Sequence, residues 1–323
     1  MNQKLNLGLL GASKIADRIL NEINQSGFNV VGVAARNAKR AQEFSEKNKL
    51  ARAFESYDAL LADKSINAVY ISVVNSAHAE LIKKSLLAGK HVLCEKTLTL
   101  NSSDAAEVFN MAKERDLVLL EGLMYRFHPQ IIRARQIIDS GEIGVIKSIQ
   151  CDFSFLLYSD NLARATRAAG GGALNDLGCY IVDFASVVTG FSQISSVQSV
   201  MNKNSEIDLS FSAIINFASG VVATLSASIE TPGLNIWEVR GTKGSVAMIR
   251  NSPQGVDDVP LIITNDESES LTEMVPIKNN QFREQFKNFY EAVCGVAKVH
   301  IPPEQSLFVN KLMAEIRAKA FRN

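Results

Sequence analysis

The chain lacks a surplus of charge of either sign: its 323 residues carry 34 Lys plus Arg and 34 Asp plus Glu. A protein that grips a phosphate backbone needs a basic surplus, so the balance argues against nucleic acid as a partner. It also lacks any apolar run approaching the roughly 18 residues of a spanning helix, and no membrane contact is expected. The N-terminus, MNQKLNLGLLGAS, has neither the basic start nor the cleavage site of a signal peptide. Cysteine is sparse: Cys94, Cys151, Cys179 and Cys294 are scattered with no CxxC spacing. That argues against a disulfide framework and a zinc cluster, and it fits a reducing cytosol. No two of the four histidines stand at metal-ligand spacing, so no metal site is expected. There is no internal repeat and no low-complexity tract.

What is present is ordinary for a soluble globular protein, with 46% apolar and 21% charged residues. At roughly 150 residues per domain the length predicts two domains. In the first 120 residues, continuous apolar runs (5–10, 28–35, 68–74, 91–94 and 117–120) alternate with helix-patterned stretches (14–24, 38–47, 80–88 and 103–113). Buried strands alternating with helices predict a doubly wound parallel sheet of the Rossmann type, placed at residues 1–123. After that the alternation stops. Helices are predicted at 129–140, 175–189, 281–293 and 304–321, and strands at 145–155, 209–217, 221–229, 235–240 and 245–249. Phe217-Ala-Ser-Gly220 is a turn signal that makes the 209–217 and 221–229 strands a hairpin. Residues 124–323 therefore read as an α+β domain with a large open, mainly antiparallel sheet, with 251–273 as a polar surface excursion.

The turn after the first strand is the first candidate for chemistry. A dinucleotide fingerprint, G-x-G-x-x-G, lets backbone N–H groups at a helix N-terminus reach a pyrophosphate. Here the run is Gly11-Ala-Ser13-Lys14-Ile15-Ala16, with one glycine retained. Ala16 is an accepted variant for close helix–sheet packing. Ser13 is either a tolerated replacement or a hydroxyl donor to phosphate, and an ordinary βα turn with one glycine stays open beside both. At the end of the second strand an NAD site carries a carboxylate for the ribose 2′-hydroxyl. This sequence has none; Arg36, Lys39 and Arg40 follow instead. NADP is preferred with NAD still possible, the alternative being that some of these cations are only a solvated helix face.

The motifs together carry a resemblance over nearly the whole chain. Gly8-Leu-Leu-Gly11, Ala35-Arg36, Val69-Tyr-Ile-Ser-Val-Val-Asn75-Ser-Ala-His78 and Ala88-Gly-Lys-His-Val-Leu-Cys-Glu95-Lys96 resemble the Gfo/Idh/MocA oxidoreductases. Met124-Tyr-Arg-Phe-His-Pro129 and Gly170-Gly-Gly-Ala-Leu-Asn-Asp176-Leu-Gly-Cys-Tyr180 resemble a narrower branch with glucose–fructose oxidoreductase, dihydrodiol dehydrogenase and NADP-dependent D-xylose dehydrogenase. Nucleotide-linked 3-ketosugar reductases share much of that pattern. Arg240-Gly-Thr-Lys-Gly244 and Ile301-Pro-Pro-Glu-Gln-Ser-Leu307 extend it to the C-terminus.

The resemblance implies cofactor binding by Gly11, Ser13, Lys14, Ile15, Arg36, Arg40, Asn75, His78, Glu95 and Lys96. It implies catalysis by Lys96 and Tyr180, with Asp176 orienting Lys96 or accepting from a second substrate hydroxyl. The chemistry agrees, because oxidising a carbinol needs a group that takes the hydroxyl proton as hydride leaves. A tyrosine beside an ammonium is shifted toward the phenolate. Without the motif, Tyr180 reads equally as a half-buried helix aromatic and Asp176 as a helix-terminus partner. Arg126 is either a cleft-lining residue, a packing residue or a domain-bridging ion pair, and His128 reads as structural. Two departures stand out: Thr97 replaces the usual proline after the lysine, and Val74 replaces the one before Asn75, which leaves both loops less restrained. The expected activity is hydride transfer between a nicotinamide and a secondary hydroxyl or carbonyl of a sugar or cyclic polyol. Reduction of a nucleotide-linked 3-ketosugar and a catalytically silent NADP-binding sensor are the alternatives. A cytosolic homo-oligomer, dimer or tetramer through the C-terminal sheet, is expected from the resemblance.

Overall fold

The structure is a computed structural model that describes residues 5–157, 166–249 and 258–322. The chain divides into two compact units, 1–124 with 280–307 and 125–279 with 308–323. The first begins as βα alternation: β1 (Asn6–Leu10), α1 (Lys14–Gln25), β2 (Asn29–Ala34), α2 (Ala38–Asn48), β3 (Arg52–Phe54), α3 (Tyr57–Ala62), β4 (Ala68–Ile71), α4 (His78–Leu87), β5 (His91–Glu95), α5 (Ser102–Glu114) and β6 (Leu119–Gly122). The strands pair in parallel in the order β3-β2-β1-β4-β5-β6. The order reverses between β1 and β4, and ligands of doubly wound sheets bind at such a switch. Local signals set the helix starts: Ser13, Asn37, Ser56 and Asn101 each accept a backbone N–H of the first turn. Leu10, Val69, Ile71, Val92 and Cys94 pack under Leu81, Ile82, Leu86 and Val108, which buries one sheet face.

The second unit holds α6 (Pro129–Asp139), β7 (Ile146–Ser154), α7 (Cys179–Val188), β8 (Ile194–Lys203), β9 (Asp208–Phe217), β10 (Val222–Ser228), β11 (Leu234–Gly241), β12 (Gly244–Ile249), β13 (Val259–Asn265) and β14 (Ser270–Val275). The chain ends in α8 (Gln281–Val293), α9 (Pro303–Lys319) and β15 (Ala320–Arg322). Nine strands form one sheet in the order β14-β13-β12-β11-β7-β10-β9-β8-β15. It is antiparallel except where β10 pairs with β7 and β15 with β8. The predicted hairpin is β9–β10, closed by Phe217 N–H to Val221 O at 2.9 Å. Period-two alternation places Ile149, Cys151, Ala213, Leu225 and Val239 in the core and Gln150, Ser212, Ile214 and Thr224 on the open face. α6 packs on β12 to β14, and α7 on β7 and β10.

Three sequence readings need correction. Residues 251–273 were expected as a surface excursion; 251–257 lie outside the described residues, but β13 and most of β14 fall in this stretch. Only Leu261 of β13 is fully buried, so the alternation that marks a half-buried strand is faint there. β3, α3 and β8 are elements the periodicity did not reveal, the first two because they are short. The second domain was expected to own all of 124–323, yet Asn280–Leu307 belongs to the first unit. The cause is aromatic packing: Phe286 meets Tyr70 edge-on at 5.1 Å, and Phe289 and Tyr290 meet Phe28 at 5.4 and 5.3 Å.

Candidate active site

Gly11 ends β1 with φ +122, and a Cβ there would stand 2.6 Å from the Ser72 carbonyl oxygen. Only glycine fits this position, and the turn lies at the switch between β1 and β4. Ser13 is the N-cap of α1: its Oγ accepts the Ala16 N–H at 3.1 Å and donates to Ser72 Oγ at 2.8 Å. The hydroxyl suggested as a phosphate donor is therefore bonded across the switch point, and the turn retains a helix N-terminus with its backbone N–H groups for an anion. Lys14 is exposed and Ile15 half-buried.

Past the end of β2, Arg36, Lys39 and Arg40 are all exposed. Lys39 lies 3.9 Å from Glu43, an exposed pair along the helix, so this cation belongs to the solvated face. Arg40 donates to the Ala12 carbonyl at 3.3 Å, which brings its guanidinium to the glycine turn. Tyr57, at the start of α3, completes the cluster. Burial pushes its phenol up, while the Arg36 backbone and the Arg36 and Arg40 charges pull it down. Two guanidiniums and a phenol beside a strand end without a carboxylate suit a phosphate better than a ribose 2′-hydroxyl.

Lys96 follows β5 directly. The neighbouring Glu95 accepts from Tyr70 Oη at 2.7 Å; desolvation raises its pKa, against the opposing pull of that bond and of the Lys96 charge. The Lys96–Thr97 peptide is cis. The two loops that lost their prolines are joined by one side chain. His78 Nδ1 lies 2.8 Å from Thr97 O and Nε2 3.3 Å from Val73 O. The neutral ring has a single N–H, and the shorter contact takes it. Burial first, then the Lys96 charge, hold the ring below its ordinary pKa of 6.5. Glu121 accepts the Leu98 N–H at 3.0 Å and ties down the residue after Thr97. Val74 has φ −70, close to the angle a proline would lock. Asn75 opens the short turn that leads into α4.

In the second unit, the predicted plain helix over 175–189 is a wide turn with i→i+5 bonding at Leu174–Gly178, followed by α7. Such turns are frequent at functional sites. Asp208 accepts the Leu174 N–H at 2.7 Å, and a Cβ on Gly172 would fall 2.2 Å from its Oδ1. Asp208 thus ties down the start of this turn, and Asp176 is the acidic residue of its first turn. Asn175 donates to the carbonyls of Gly170 and Gly171 at 3.1 and 3.3 Å and accepts from Arg317 at 2.7 Å. The turn and α7 carry Asp176 and Tyr180, 7% and 8% exposed. Tyr180 is flanked by Tyr125 at 5.8 Å, edge to face, and by Phe153 at 6.0 Å.

Of the roles open for Arg126, the structure shows an ion pair: it grips Asp183 with two N–H groups inside the second unit. His128 caps α6 by accepting the Gln130 N–H at 3.2 Å, the structural role read from the sequence. Sequence reasoning missed Tyr57 and Asp183, since no motif surrounds them, and Ser72, which lies within the 69–78 motif but was given no role there; the absence of a carboxylate after β2 was the one signal that a partner for Arg36 was needed. Among the described residues no cluster of His, Cys, Asp and Glu could hold a metal ion, and no helix is long and apolar enough to cross a membrane.

Residues 5–123 match the oxidoreductase family with an NAD-binding Rossmann fold, and residues 131–247 match the GFO/IDH/MocA C-terminal domain. D-xylose 1-dehydrogenase (NADP(+)) 2 of Haloferax volcanii is 32% identical over 240 residues, 73% of each chain. dTDP-3,4-didehydro-2,6-dideoxy-α-D-glucose 3-reductase of Actinomadura kijaniata is 30% identical over 98% of this chain and 96% of its own. A crystal structure of KijD10, a 3-ketoreductase from Actinomadura kijaniata in complex with NADP and TDP-benzene, superposes with a TM-score of 0.91 at 29% identity over 98% of both chains. With a glycine turn at the switch of a 3-2-1-4-5-6 sheet and both of its domains matched, the chain belongs to the Gfo/Idh/MocA oxidoreductases.

Proposed function

We propose that this oxidoreductase uses NADP(H) and acts on a secondary hydroxyl or carbonyl of a sugar or related cyclic polyol. The observation that carries the cofactor choice is the Arg36, Arg40 and Tyr57 cluster beside a strand end without a carboxylate. Residues 11–15 would hold the pyrophosphate through backbone N–H groups at the start of α1, and Arg36 and Arg40 the 2′-phosphate. Asn75, Glu95 and Lys96 would hold the nicotinamide end, on loops that the buried His78 ties together. When bound, the cofactor supplies or accepts the hydride. Tyr180 passes the proton of the reacting oxygen, Lys96 is the second catalytic group, and Asp176 orients a second hydroxyl.

A second reading is reduction of a 3-keto-sugar carried on a nucleotide. It is favoured by a full-length likeness to the Actinomadura kijaniata reductase, over 98% of this chain against 73% for the xylose dehydrogenase. The experiment is one assay of NADP(H) oxidation and reduction against free sugars, polyols and nucleotide-linked keto-sugars. Turnover of free sugars supports the first reading, and turnover confined to nucleotide-linked substrates replaces it with the second. Tight NADPH binding with no turnover on any of them would leave a sensor.

The same reading makes the protein a cytosolic homo-oligomer, a dimer or tetramer through the open face of the nine-stranded sheet. That face carries small hydroxyl side chains and the exposed apolar residues Val200, Ile214 and Val222. Ile214→Glu would place a charge in such an interface and should yield monomers in sedimentation; an unchanged oligomer would remove this face from assembly.

A further inference from the structure

The second unit buries an ion pair that the proposed chemistry does not use. Asp183 is 0% and Arg126 7% exposed. Arg126 Nε donates to Asp183 Oδ2 at 2.8 Å, and its Nη2 to Oδ1. Tyr125, 2% exposed, donates its hydroxyl to the same Oδ2. Two charges taken out of water contribute little net stability, and well-packed apolar side chains of similar volume would often serve the fold as well. What the group offers is direction. A bidentate guanidinium fixes the carboxylate plane, and a carboxylate so fixed orients the phenol that donates to it.

The oriented ring then meets one particular neighbour. Tyr125 packs edge to face on Tyr180, with centroids 5.8 Å apart and planes at 87°. Its remaining ring contacts anchor it: Trp237 lies 5.3 Å away at 77°, and Trp237 in turn packs on Phe184 at 4.9 Å. Asp183 stands one helical turn after Tyr180 on α7, so one short stretch carries both the aromatic and the anchor of its neighbour. Burial and the Asp183 charge push the Tyr125 phenol well up, so Tyr125 keeps its proton where a catalytic tyrosine must release one.

We propose that Arg126, Asp183 and Tyr125 form a positioning unit for Tyr180, in which the ion pair orients the Tyr125 phenol and the Tyr125 ring fixes the plane of the Tyr180 ring. This rests on the reading of Tyr180 as the proton carrier. Tyr125 is then a positioning residue that acts through Tyr180 and passes no proton itself. A catalytic group held loosely forfeits rate without losing its chemistry, and a displacement of about 1 Å costs up to roughly 100-fold.

The test is a mutant cycle in the full-length protein, read by single-turnover hydride transfer, by kcat and KM separately, and by Trp237 fluorescence as a monitor of the fold. Tyr125→Leu should lower the hydride-transfer rate by about 10- to 100-fold with KM for NADPH unchanged. Tyr125→Phe keeps the ring but cuts its bond to Asp183, and should show a smaller loss, about three- to tenfold. In a Tyr180→Phe background, Tyr125→Leu should lower the rate no further, because the residue it positions is already disabled. Should Tyr125→Leu not fold, the paired replacement Arg126→Met with Asp183→Leu exchanges the ion pair for apolar volume and should show the same coupling to Tyr180→Phe. Equal losses from Tyr125→Leu in both backgrounds would overturn the positioning role alone. Near-normal transfer in Tyr180→Phe itself would remove the catalytic reading of Tyr180, and the positioning unit with it.

Discussion

The two units fix their candidate residues by different means. In the first, the backbone does most of it: a glycine that nothing else can replace, a capped helix start, and two loops tied through their own carbonyls to His78. In the second, side chains do it: rings around Tyr180, a buried ion pair behind them, and Asp208 and Asn175 shaping a wide turn. The pyrophosphate is common to NAD and NADP, so a turn made of backbone suffices for it, while side chains past β2 choose between the two. A substrate differs between relatives, and side chains can be exchanged without changing the sheet.

The largest expected effect asks whether residues from the two units act as one. Tyr180→Phe keeps the ring and removes the proton carrier, so single-turnover hydride transfer should fall about 10²–10⁴-fold while NADPH affinity holds. Lys96→Met should slow transfer as well. If the two residues form one proton-transfer unit, the double variant should be little slower than the worse single one, since coupled catalytic groups are not additive. Strict additivity would mean that the residues work separately, with Lys96 mainly holding substrate.

The cofactor cluster gives the next effect. Arg36→Ala removes a charge-assisted bond and should weaken NADPH about 10- to 100-fold while leaving NADH nearly unchanged. Tyr57→Phe removes the hydroxyl beside Arg36 and Arg40 and should weaken NADPH about two- to tenfold. Titrations in which both cofactors weaken equally would take the 2′-phosphate away from this cluster.

The same contrast explains what the sequence disclosed. The parallel sheet was legible because buried strands read as unbroken apolar runs; Gly11 and Arg36 stood out because they follow strand ends, whereas Lys96 was named only through the family motif. Ser13 was visible, but its role was not, since its partner Ser72 is 59 residues away. Tyr57 sits on a six-residue helix too short to show a period. Arg126 was ambiguous for a related reason: a buried Arg–Asp pair joins positions 57 apart, and neither looks unlike a surface charge in the sequence. Val74 and Thr97 suggested slack loops, yet the restraint lost with the prolines is met by His78 and Glu121, which one-dimensional reading could not connect to them.

Acid should distinguish how firmly the first unit depends on its neutral histidines. Burial depresses both His78 and His91 below the ordinary 6.5, and His91 Nδ1 accepts the Val118 N–H at 3.0 Å, which protonation there would break. Below about pH 6.5 the unfolded chain binds more protons at these positions than the folded one, so stability falls as pH drops. Above that pH the contribution is fully present. His91→Asn keeps an acceptor near the Nδ1 position without titrating, so urea unfolding should show a shallower decline between pH 6.5 and 5. An unchanged slope would exclude His91 as a source of acid sensitivity.

The smallest effect concerns Ser13, where backbone and side chain meet. Ser13→Gly restores the usual fingerprint but removes an N-cap acceptor and the donor to Ser72. A glycine N-cap costs only a few tenths of a kcal/mol relative to serine, whereas alanine costs about 1. The lost hydroxyl contact adds about 0.5–1.5 kcal/mol to either variant, because Ser72 is buried. Urea unfolding should therefore rank wild type above Ser13→Gly and Ser13→Gly above Ser13→Ala. Cofactor affinity should stay within tenfold in both variants, about 1.4 kcal/mol, because the hydroxyl is bonded within the protein and the turn's backbone N–H groups are unaltered. A larger loss of NADPH affinity in Ser13→Gly, with stability preserved, would mean that the hydroxyl leaves Ser72 for the phosphate when the cofactor binds. The backbone-built half of the site would then depend on a side chain after all.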